Sequence, residues 1–95
     1  ELDAGVGGST ARALAGVLAD LAATHQVIVV THLAQVAVMA DKHYVVSKEP
    51  GDVPQTHLDE VTGEARTAEI ARMLSGDQSE ASLAHAKQML EEARG

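Results

Sequence analysis

Two carboxylates open the chain, Glu1 and Asp3, and a flexible run, Gly5-Val6-Gly7-Gly8, follows directly. A carboxylate at the exit of a strand, beside such a turn, can orient a water or hold a metal ion. The same octet also reads as a solvated acidic terminus before a glycine turn. A second group stands at His32, just beyond the run Gln26-Val-Ile-Val-Val-Thr31. Open α/β sheets bind ligands at the carboxyl ends of their strands, which is where this imidazole falls. Neutral or charged, it can donate a hydrogen bond to a phosphate oxygen. Taken alone, His32 reads equally well as an ordinary loop residue. The pair says more than either member: about one helix and one strand separate Glu1 from His32, which puts both over the same sheet edge.

The elements that must position them follow from periodicity. Ser9 or Thr10 can cap a helix over 11–23, in which Leu14, Val17, Leu18 and Leu21 recur at helical spacing. The β-branched run 26–31 fits a strand buried on both faces, as in a parallel sheet. Helix followed by buried strand is half of a βαβ unit, whose other strand would lie before residue 1. A short helix is expected over 33–40, then a strand over 43–48. Glu49-Pro50-Gly51-Asp52-Val53-Pro54 is an exposed turn, and 56–61 alternates as a hairpin partner closed by Thr62-Gly63. Helices follow over 64–74, ended by Ser75-Gly76, and from Ser79 to about 93.

Composition sets the outer bounds. Ninety-five residues make one small domain, able to fold alone but marginally, since such a chain buries only about 60–65% of its unfolded surface. The apolar share is 45%, with Tyr44 the single aromatic residue, so the core must be Ala, Val, Leu, Ile and Met. Fourteen acidic against seven basic residues give a formal charge of −7, which repels a phosphate backbone and argues against a DNA-binding face made of this chain alone. There is no cysteine, so disulfides and thiolate metal sites are excluded. No apolar run reaches the roughly 18–20 residues of a membrane span, and the start lacks the features of a signal peptide. The absence of an initiating Met suggests a segment of a longer, soluble, cytoplasmic protein. His25, His43, His57 and His85 are too dispersed for a metal-ligand spacing. Asp59, Glu60 and Glu64 read as a solvated hairpin end. Lys42, Lys48, Arg66 and Arg72 read as surface or salt-bridge residues, and Met73 and Met89 as core.

Glu1 followed by Asp3 resembles the Walker B glutamate and D-loop of ABC-type ATPases. Thr31-His32 after a β-branched run is similar to their switch histidine, and the interval between the two blocks matches. Within that superfamily, Asp3-Ala-Gly-Val-Gly-Gly8 resembles the RecN family, bacterial SMC-like DNA repair ATPases, rather than the transporters. Thr31-His-Leu-Ala-Gln-Val-Ala37 resembles the switch segment of that family, with Ala34 where a proline is expected. Glu69-Ile-Ala-Arg-Met-Leu-Ser-Gly76 is similar to its C-terminal helix. The three blocks span nearly the whole chain.

The resemblance implies an α/β fold: the C-terminal portion of a P-loop ABC-type ATPase head. Its parts would be a buried parallel strand flanked by helices, a β-hairpin and two C-terminal helices over about 64–94. The D-loop would occupy 3–8 and the switch loop 31–33. By position, Glu1 would polarise the attacking water, while Asp3 and Gly5 would contribute nucleotide and dimer contacts. His32 would touch the γ-phosphate. ATP and Mg²⁺ would be bound by the full-length parent. Implied partners are the remainder of the same head, a second head in an ATP-dependent dimer, and DNA through other parts, with no membrane; the location would be cytoplasmic and nucleoid-associated. No G-x-x-x-x-G-K-[ST] loop and no Leu-Ser-Gly-Gly segment is present, nor is the Mg²⁺-binding aspartate that would precede Glu1. The chain alone is therefore expected to hydrolyse no ATP. The alternative is a non-catalytic interaction module, or a head fragment of another SMC-like ATPase.

Overall fold

A computed structural model of the chain describes residues 8–94, without the side chain of Arg94. In chain order the elements are α1 (Gly8–Ala22), α2 (Ala34–Ala37), β1 (His43–Glu49), β2 (Gln55–Val61), α3 (Gly63–Ser75) and α4 (Glu80–Arg94). β1 and β2 form a two-stranded antiparallel hairpin, so the architecture mixes helices with a small sheet. Among the described residues no helix is long and apolar enough to cross a membrane.

The hairpin follows the alternation in the sequence. Its register runs from His43 opposite Val61 to Glu49 opposite Gln55, leaving 50–54, with both prolines, as the connection. Pro has no N–H for a ladder, so the strands stop on either side of it. His43, Val45 and Val61 are half-buried, while Tyr44, Val46 and Leu58 face outward. His57 Nε2 and Glu49 Oε2 lie 2.9 Å apart near the tip, where exposure limits such a pair to a small contribution.

α3 and α4 form an antiparallel pair whose junction is set by local chemistry. Gly76 takes φ +78°, a left-handed value costly to side chains with a Cβ, and its N–H donates to Arg72 O at 2.7 Å. Asp77 Oδ1 accepts from Ser79 N at 3.1 Å, and Ser79 Oγ accepts from Ser82 N at 3.3 Å, which caps α4 as expected. The hydroxyls of Ser75 and Ser82 also reach Asp77 Oδ1, at 3.0 and 3.2 Å. These donors hold the Asp77 carboxyl below its ordinary range, the Ser79 amide contributing most.

The core gathers Ala34, Ala37 and Val38 from α2 and its exit, Ile70 and Ala71 from α3, and Ala86 from α4. Met73, Leu74, Leu83, Met89 and Leu90 pack around it half-buried, which places both methionines as expected. Alanine lets the helices approach closely, at the cost of little apolar area per residue. Ile70 is the one large side chain fully withdrawn from solvent among the described residues.

Three expectations need correction. Residues 26–30 belong to no ladder, and Ile28 and Val30 are 84% and 71% exposed rather than buried. A buried strand requires neighbours for its backbone groups, and among the described residues the sheet consists of β1 and β2 alone. α1 starts at Gly8, so Ser9 and Thr10 lie inside it, and its inward face is Ala11 and Ala15, at 0% and 2% exposure. Of its expected apolar stripe, Leu14 and Leu18 are half-buried while Val17 and Leu21 are exposed. The helix expected over 33–40 is a single turn, Ala34–Ala37.

Candidate functional site

His32 is exposed, on the loop between the run 26–30 and α2. The loop is built by its neighbours. Thr31 Oγ1 accepts a hydrogen bond from Leu33 N at 2.9 Å, a side chain-to-backbone turn that fixes the residue on either side of the histidine. Leu33, with φ −97° and ψ 122°, leads the chain from extended backbone into α2. The loop thus offers an imidazole to solvent while its Leu33 amide is already engaged. Such a loop can supply one hydrogen bond to an anion; it is not a cradle of amides for a polyphosphate. Glu1, Asp3 and Gly5 lie outside the described residues.

α2 is held from two sides. Below it, Ala34 and Ala37 pack on Ile70, Ala71 and Ala86. At its far end Arg66 of α3 donates from Nη2 to the carbonyl oxygens of Ala37 at 3.2 Å and Ala40 at 2.8 Å, with Val38 O at 3.4 Å. The last carbonyls of a helix have no partner within it, and a cation there complements their partial negative charge. Arg66 therefore caps the carbonyl end of α2, a role beyond its reading as a surface or salt-bridge residue. Arg72 fits that reading: it pairs with Glu69 one turn earlier, its Nε 3.0 Å from Glu69 Oε2, and the carboxylate raises the guanidinium pKa further.

His43 stands close to Arg66 at the base of the hairpin. Its Nδ1 is buried without a hydrogen-bond partner. Burial lowers its pKa, the Arg66 charge lowers it further, and Glu69 opposes both. A folded-state pKa below the ordinary value of about 6.5 means that the unfolded chain binds more protons in the window beneath it. The stability contributed by neutral His43 is complete above about pH 6.5, is lost as pH falls through that value, and stops falling below the folded pKa. Thermal midpoints of the wild-type chain and of His43→Gln, taken at pH 7.5 and 5.5, should show the smaller acid loss in the variant. Equal losses would contradict this account of the site.

Among the described residues no group of three His, Cys, Asp or Glu side chains is placed to hold a metal ion. A groove runs between the hairpin base, α3 and α4; Lys42, Glu60, Glu64 and Lys87 line it with both signs of charge. It does not include His32.

Relatives of the chain are DNA repair proteins. It is 53% identical over 91 residues to the DNA repair protein RecN of Deinococcus radiodurans, which covers 95% of this chain and 16% of that protein. It is 49% identical over 92 residues to RecN of Treponema pallidum, and 50% identical over 95 residues to RecN of Mycobacterium tuberculosis, again spanning 16% of each. Over the segment it spans, the chain belongs to the RecN family; that segment is about a sixth of the length of these relatives and matches their C-terminal portion. No protein-family model matches it.

Proposed function

We propose that the chain is part of an ATP-binding and ATP-hydrolysing head in a RecN-like protein of DNA double-strand-break repair and recombination, and that it is inactive alone. The observation that carries this reading is identity of about one half to DNA repair proteins named RecN, sustained over nearly the whole chain. The exposed imidazole on the braced loop 31–33 supports the nucleotide part of it.

In this reading the substrate is ATP, and water attacks its γ-phosphorus while the bond to the β-phosphate oxygen breaks, giving ADP and phosphate. Such a reaction is accelerated mainly by positioning and charge stabilisation. Glu1 orients the attacking water and accepts its proton as the P–O bond forms. His32 donates a hydrogen bond to an oxygen of the transferred group, whose charge the imidazole N–H stabilises. Asp3 and Gly5 contribute contacts to the nucleotide and to a second head. Mg²⁺ would neutralise phosphate charge, held by residues outside this chain's described part. The remainder of the head supplies the phosphate loop. Since the chain carries a net charge of −7, DNA is contacted by other parts of the parent. The location proposed is the cytoplasm, in association with the nucleoid.

The experiment is His32→Ala in the full-length protein. Nucleotide binding should survive and turnover should fall; unchanged turnover would exclude the role given to His32.

A further inference from the structure

Thr31, His32 and Leu33 run directly into α2, so whatever fixes α2 also fixes the imidazole. A single helical turn cannot hold itself, because nucleation costs more than one turn of hydrogen bonds returns. Its position comes from outside: from the alanine packing beneath it and from Arg66 at its end. Arg66 is 29 residues away from Ala37 in sequence, so this bond ties the start of α3 to the loop before β1. A guanidinium suits the task, since it is planar, always charged and able to serve several acceptors in a fixed fork.

We propose that Arg66 is a positioning residue for His32. By gripping the carbonyls of Ala37 and Ala40, it sets where α2 ends and hence where the loop before α2 presents the imidazole. This rests on the reading of His32 given under Proposed function. Arg66 need not touch the nucleotide; it acts through the loop.

The test is a double-mutant cycle in the full-length parent: Arg66→Gln and Arg66→Lys, each alone and combined with His32→Ala. Arg66→Gln should lower kcat roughly tenfold with KM for ATP nearly unchanged, since a displacement of about 1 Å is enough to disturb a positioned group. Arg66→Lys, which keeps a cation at the same carbonyls, should recover part of the loss. In the His32→Ala background Arg66→Gln should have almost no further effect, because the group it positions is gone. A full further loss in that background, or an unchanged kcat in folded Arg66→Gln, would overturn the proposal. Should Arg66→Gln fail to fold, Arg66→Lys decides by the same comparison. Amide exchange over 31–40 separates the two ideas. If His32→Ala leaves turnover intact, the nucleotide reading fails; faster exchange over 31–40 in the Arg66 variants still supports the mechanical link, and unchanged exchange there refutes it.

Discussion

Ile70→Ala should destabilise the fold by about 2–5 kcal/mol, the range for emptying a buried aliphatic site. Ile70 has 0% exposure and stands where α2, α3 and α4 meet, surrounded by Ala34, Ala37, Ala71 and Ala86. Met73, Leu74 and Met89, which pack against that cluster, would relax only partly into the space, so a cavity would persist. A chain of this size is stabilised by only about 5–14 kcal/mol in all, on the usual scale per residue. The loss is therefore a large part of the total, and the thermal midpoint should fall by at least about 10 °C. Leu74→Ala, at a half-buried site on the rim, should cost less. A midpoint for Ile70→Ala within about 2 °C of wild type would show that the packing described here does not hold the helices together.

His32→Ala in the parent should reduce kcat by roughly 10²–10³-fold, the cost of removing one donor that stabilises developing charge in a closed site. Nucleotide affinity should change much less, because most phosphate contacts come from a loop that this chain lacks. His32 is exposed, and the bond from Leu33 N to Thr31 Oγ1 is made without its side chain. A thermal midpoint equal to that of the unsubstituted protein would show that lost turnover reports chemistry rather than collapse. His32→Asn, which retains a donor, should fall between the two. A large rise in KM at constant kcat would instead assign His32 to ground-state binding.

Legibility in the sequence varied with how local the determining physics is. The hairpin was readable because alternation and a Pro-Gly turn act within about twenty residues. The α3–α4 junction was readable to a residue or two because Gly76 and Ser79 act on their own backbone. The run 26–31 was misread, since a buried strand is defined by neighbours and the described residues include none beside it. The α1 face differs from the expected one because leucine is weighted over alanine in a periodic pattern, yet the residues α1 buries are Ala11 and Ala15. The capping role of Arg66 is not marked in the sequence: its partners are carbonyls, which every residue carries, so no spacing distinguishes them. The residues of the candidate site divide likewise. His32 follows the run 26–31, which forms no strand among the described residues. Glu1, Asp3 and Gly5 fall outside the described residues, and their roles rest on the family resemblance.

The central claim is that this segment contributes the water-orienting carboxylate and the imidazole of one ATPase site. Steady-state ATP hydrolysis by the full-length protein, with and without Glu1→Gln, tests it most directly. The account predicts that the variant still binds ATP while kcat falls by about 10²–10⁴-fold, as expected when a positioned proton acceptor is removed. Turnover equal to that of the unsubstituted protein would contradict it, and would leave this chain a RecN-type segment without a part in the chemistry.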